Sequence, residues 1–75
     1  MIVTLKLAGG FVHTVGFSQK ELDVEPGTTV GDILEMIAID QTRPMIIARN
    51  GQGAGTDEEV AAGDRILVSP IFSGG

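Results

Sequence analysis

The sequence predicts an α+β fold, a small mixed sheet with one amphipathic helix lying across one face. Three observations carry this. Residues 1–7 alternate apolar and polar side chains, the period of a half-buried strand. Val30, Ile33, Leu34 and Ile37 recur at i, i+3, i+4 and i+7, a single helical stripe. Ile66, Leu67 and Val68 form an apolar, mostly β-branched run near the C-terminus, as a buried strand would. A helix stripe and a sheet face each need a cover, and here they can only cover one another.

The elements follow in order. In the first strand Val3, Leu5 and Leu7 face the core and Thr4 and Lys6 face water, and Gly9-Gly10 ends it. Residues 11–18 read as a loop or an irregular hairpin crossing, with Phe11, Val15 and Phe17 capping the core and Gly16 marking a turn. Leu22 and Val24 alternate with Glu21, Asp23 and Glu25 as a second strand, closed by the Pro26-Gly27 turn. Thr29 can cap a helix and Asp32 can return the bond, as in a capping box, and both Asp32 and Glu35 suit the helix dipole. The helix is expected over residues 30–38, and Pro44 forbids much continuation.

Residues 45–48 read as a short, fully buried strand, and Asn50-Gly51 as a turn. Residues 52–56 read as loop, and Val60 as a lone apolar anchor in an acidic turn. Gly63-Asp64 turns the chain into a last strand at 65–69, whose pairing should end near Pro70, which has no amide hydrogen to donate. The order strand, strand, helix, strand, strand, with apolar first and last strands side by side at the centre, is the β-grasp or ubiquitin-like roll. The expected organisation is a domain over residues 1–69 and a flexible tail over 70–75 that ends Gly-Gly.

Composition bounds the function. Seventy-five residues make one domain that buries only about 60% of its unfolded surface, which leaves no room for a large enclosed substrate cavity. The absence of cysteine excludes disulfides, thiolate metal sites and a cysteine nucleophile, and fits a reducing, cytoplasmic setting. No stretch resembles a signal sequence or a membrane span. Ten acids against five bases, a net charge of −5, argue against nucleic acid and favour a basic protein partner.

Few side chains suggest catalysis. His13 stands alone, with no serine or cysteine partner at a recognisable spacing. Asp57-Glu58-Glu59 reads as a solvated face rather than a metal site. The glycine-rich residues 51–55 lack the lysine and the glycine spacing of a phosphate loop, so no metal or bound cofactor is expected. The informative stretch is Pro70-Ile71-Phe72-Ser73-Gly74-Gly75. Two glycines make a thin tail that fits a narrow channel and presents a terminal carboxylate. Ile71 and Phe72 are large apolar residues in that tail, suited to anchoring it in a partner's groove.

Taken together, Gly27-Thr28-Thr29-Val30 with Ile33-Leu34, the run Met45-Ile46-Ile47-Ala48-Arg49-Asn50-Gly51, the turn Gly63-Asp64 leading to Arg65-Ile66, and the Ser69-Pro70 start of a tail ending Gly74-Gly75 resemble the ubiquitin-like sulfur carriers of the MoaD/ThiS family. That family includes the small subunit of molybdopterin synthase and the thiamine sulfur carrier, and Pro70 and Ser73 bring this chain nearer the former. The resemblance implies a non-enzymatic carrier acting with partner enzymes. An adenylating enzyme would use ATP to activate the Gly75 carboxylate, a sulfur donor would convert it to a thiocarboxylate, and a synthase subunit would receive the sulfur. Thiamine or tRNA-thiolation sulfur transfer, a ubiquitin-like protein modifier, and a β-grasp binding module without tail chemistry stand as alternatives.

Overall fold

The computed structural model describes residues 1–71, and the chain folds as a β-grasp roll. A five-stranded sheet runs in the order β2-β1-β5-β3-β4, with β1 Ile2–Leu7, β2 Gln19–Asp23, β3 Met45–Arg49, β4 Gln52–Gly53 and β5 Arg65–Pro70. β1 and β5 are parallel, pairing Thr4 with Arg65 and Leu7 with Val68, while the other pairs are antiparallel. Parallel central strands need a long crossover, which here contains the main helix α2, Val30–Met36. A short helix α1, Phe11–Val15, joins β1 to β2.

One side of the sheet is covered and the other is open. Val3, Leu5, Ile66 and Val68 are buried under Val30, Ile33 and Leu34 of α2, and Val60 plugs the rim. The expected capping box is present. The Thr29 hydroxyl accepts from the Asp32 amide at 3.1 Å, and the Asp32 carboxylate accepts from the Thr29 amide at 3.0 Å.

Five local expectations are corrected. Residues 11–18 are not a hairpin crossing: α1 forms there, with Phe11 buried and Gly16 terminating it at φ 98°. Two flanking glycines and β-branched residues hide so short a helix from pattern reading. The main helix stops at Met36 rather than near Ala38, because Ala38 takes φ 59°, a left-handed turn. β2 begins two residues earlier than its alternation suggests, since the register against β1 rather than its own pattern sets it; Val24 lies just beyond it. The third strand is not buried on both faces, because Ile46 is 56% exposed on the open side. Residues 52–56 also contribute the two-residue β4.

Candidate functional site

The candidate site is the tail and the strand that launches it. β5 is the central strand between β1 and β3, and its inward residues Ile66 and Val68 are almost wholly buried, so the base of the tail is fixed by the core. Pro70 is half-buried and pairs with Met45, and it closes β5 as its missing amide hydrogen requires. The Ile71 amide still donates to the Pro44 carbonyl at 3.3 Å, while its side chain is 51% exposed. Ser69 is half-buried. The expected site residues Phe72, Ser73, Gly74 and Gly75 lie outside the described residues.

The other end of β5 is held by a buried carboxylate that sequence reading places only as part of a turn. Asp64 accepts from Arg49 Nε at 2.7 Å, from Asn50 Nδ2 at 2.9 Å and from the Ala61 amide at 2.7 Å. Asn50 Oδ1 in turn accepts from the Arg65 amide at 2.9 Å. The Asn50 side-chain bond above all, with the Ala61 and Arg49 bonds and the Arg49 charge, holds the Asp64 carboxyl below its ordinary pKa against the opposing effect of burial. A charged residue directly after a turn glycine, fifteen residues from Arg49, is the available signal.

The remaining chemical candidates are placed without convergence. His13 is exposed on α1. Asp57 and Glu59 are exposed, while Glu58 accepts from the Gly55 amide at 2.6 Å and lies 3.7 Å from Arg49. The Gly55 amide in the glycine-rich loop is thus occupied by a carboxylate rather than turned outward to an anion. Among the described residues no group of three metal-ligating acids or histidines converges, and no helix is long and apolar enough to cross a membrane.

The ThiS family model matches residues 5–75, from the first strand through the terminal glycines. The chain belongs to the ThiS family. Members of the ThiS family are small sulfur carriers rather than catalysts. Among solved structures, SAMP1 from Haloferax volcanii is 27% identical over 100% of both chains, with a TM-score of 0.83. A putative molybdopterin converting factor subunit 1 from Pyrococcus furiosus is 26% identical over 96% of this chain and 99% of that one, with a TM-score of 0.81. Subunit 1 in the molybdopterin-converting factor complex of subunits 1 and 2 from Helicobacter pylori shares the fold at 15% identity, over 100% of both chains, with a TM-score of 0.66. No curated protein matches the chain.

Proposed function

We propose that this ThiS-family chain is a sulfur carrier whose Gly75 carboxylate is adenylated and then converted to a thiocarboxylate, serving molybdopterin biosynthesis in the cytoplasm. The observation that carries the reading is the family match running through Gly74 and Gly75, on a tail launched from the central strand β5. The likeness to the Pyrococcus furiosus converting-factor subunit supports the pathway.

The chemistry is divided between the tail and its partners. A carboxylate oxygen of Gly75 attacks the α-phosphorus of ATP, and pyrophosphate leaves. A sulfide equivalent from the donor attacks the acyl carbon, and AMP departs with that oxygen. The product is a sulfur nucleophile that a synthase subunit can use. The carrier's task is to present a thin end. Gly74 and Gly75 have no side chains, so nothing at the last two positions obstructs an active-site channel. Ser73, Phe72, Ile71 and Pro70 then form the stretch that a partner grips.

A second reading, a protein modifier whose Gly75 forms an amide with a target lysine, is supported by the likeness to SAMP1. Both readings share adenylation and divide at the next step. Incubation with an adenylating enzyme, ATP and a sulfur donor, followed by intact-mass measurement, separates them. The carrier gains the difference between sulfur and oxygen. A modifier instead appears as a higher-mass conjugate when candidate target proteins are present. An unchanged mass under both conditions rejects tail activation.

A further inference from the structure

Asn50 is the only asparagine in the sequence, and Gly51 follows it in the turn between β3 and β4. Arg49 pairs with Gln52, so these two residues are the whole loop, and both take positive φ, 52° and 83°, as a tight hairpin requires. Asparagine is among the thermolabile side chains. A following glycine has no side chain beside its nitrogen, which leaves that nitrogen open to the asparagine before it. The space where a Cβ would stand at Gly51 is empty to 4 Å, and both residues are exposed to water.

The Asn50 side chain is nevertheless held at both ends. Its Oδ1 accepts from the Arg65 amide at 2.9 Å, and its Nδ2 donates to Asp64 Oδ1 at 2.9 Å. The partners fix this orientation, because a backbone N–H needs an oxygen and a carboxylate needs a hydrogen. Asp64 Oδ2 is engaged by Arg49 Nε and by the Ala61 amide, both at 2.7 Å. Position 50 must therefore supply a donor where Asp64 accepts, which an acid there does not.

We propose that Asn50-Gly51 is a site of spontaneous deamidation that the native fold holds shut through Asp64 and the Arg65 amide, and that conversion of Asn50 undoes this clamp at the foot of β5. In the reaction the Gly51 nitrogen gives its proton to a solvent base and attacks Asn50 Cγ. The Cγ–Nδ2 bond breaks, and the amide nitrogen takes a proton from water and leaves as ammonia, closing a succinimide ring. Water then adds to one of the ring carbonyls. Opening at Cγ gives aspartate, and opening at the main-chain carbonyl gives isoaspartate, whose main chain runs through the side chain. Nothing is oxidised or reduced. Ring closure turns Cγ onto the Gly51 nitrogen, so both side-chain hydrogen bonds must break first, and local opening of the turn precedes the chemistry. The clamp does not re-form afterwards. Aspartate sets a second carboxylate against Asp64 Oδ1, where like charges repel. Isoaspartate adds an atom to the main chain of a turn whose length fixes the strand register. Converted chains are thus less stable, and the modification records time spent open.

The test follows intact mass and ammonia release from the full-length chain at mildly alkaline pH, with peptide mapping to place the change at residue 50 and to separate the two products. The wild type should convert roughly tenfold or more slowly in buffer than in guanidinium chloride, tenfold being the factor set by about 1.4 kcal/mol of opening free energy. Asp64→Ala in buffer should convert at a rate between these two. Equal rates for the wild type in both solvents, a folded Asp64→Ala that converts no faster than the wild type, or no conversion even when unfolded, would each overturn the inference. Asp64→Ala also frees Arg49 and Ala61, so a second comparison isolates the bond to Asn50. Asn50→Asp and Asp64→Asn should each lower the denaturation midpoint. Asn50→Asp/Asp64→Asn exchanges donor and acceptor: the carboxylate at 50 accepts from Arg65 and from the amide at 64, whose oxygen still serves Arg49 and Ala61. It should recover about half or more of the summed loss, incompletely because Arg49 then bonds a neutral oxygen. A double variant that loses as much as the two single variants together would overturn the clamp.

Discussion

Arg49 Nε and Asp64 Oδ2 are 2.7 Å apart, joining the last residue of β3 to the residue before β5. Asp64 is 6% exposed, so this bond forms where water competes poorly, and the Asn50 and Ala61 donors complete the carboxylate's shell. Replacing Asp64 with alanine leaves Arg49 and the Ala61 amide without that acceptor. Because Arg49 is partly solvated, the expected loss is about 2–3 kcal/mol, at or just below the range of about 3–5 kcal/mol for breaking a fully buried pair. Chemical denaturation of Asp64→Ala checks it.

The same carboxylate gives stability a definite pH dependence. Its folded pKa is depressed, so its contribution is complete above the unfolded value, about 4, and is lost as pH falls through the folded value below that. Asp40 acts in the same direction, because the Thr42 hydroxyl and then the Thr42 amide bond to it and lower its pKa. The melting temperature should therefore fall as pH drops below about 4. Asp64→Asn should flatten part of that fall, with the Asp40 contribution remaining. Melting curves from pH 6 to pH 2 test the sign, and an equally steep acid limb in Asp64→Asn would show that Asp64 is not its source.

Leu34 is fully buried at the contact between α2 and the sheet. Leu34→Asp should abolish the cooperative fold, because an unpaired buried carboxylate costs several kcal/mol in a domain of marginal stability. Loss of the thermal transition in circular dichroism is the expected result. A melting curve like the wild type's would remove Leu34 from the core.

Much of this architecture is legible in the sequence because burial and period agree. Val3, Leu5 and Leu7 alternate and are buried, and the stripe Val30, Ile33 and Leu34 lies on the sheet. What stays hidden lacks a local signal. The run Met45-Ile46-Ile47-Ala48 is apolar throughout, so only its pairing with β5 shows that Ile47 points inward and Ile46 outward. Leu67 is obscured in the same way by Ile66 and Val68 on either side. Strand parity alone, taken from those two neighbours, would place Leu67 on the open face. Asp64 reads as a turn residue, but its partner Arg49 is fifteen positions away, and no short-range pattern joins them.

Ala38 shows the complementary case, a residue at odds with its conformation. It follows the helix cap Ile37 with φ 59°, where glycine is the usual occupant, and it is exposed, so its methyl group gains little from packing. The left-handed conformation costs an alanine about 1–2 kcal/mol, partly offset by the greater freedom of glycine in the unfolded chain. Ala38→Gly should thus stabilise the protein by roughly 0.5–1 kcal/mol. A small upward shift in melting temperature with unchanged far-ultraviolet circular dichroism is expected, and a decrease would show that the turn is not strained.

The tail gives the last prediction, in which fold and function separate. β5 is secured by its buried residues Ile66 and Val68 and by pairing as far as Pro70, all before Gly75. An extra residue after Gly75 should therefore leave the melting temperature within about a degree, because it touches none of the contacts that secure β5. It should nevertheless abolish ATP–pyrophosphate exchange, because the Gly75 carbonyl is then an amide and the new carboxylate lies one residue too far along the channel. Deleting Gly75 shortens the reach by one residue and should have the same result with the fold again unchanged. Retained exchange in the extended chain would mean that the terminal carboxylate of Gly75 is not the group activated. Loss of both exchange and folding would mean that the last glycines belong to the domain, which would overturn the division between a structural body and a reactive tail.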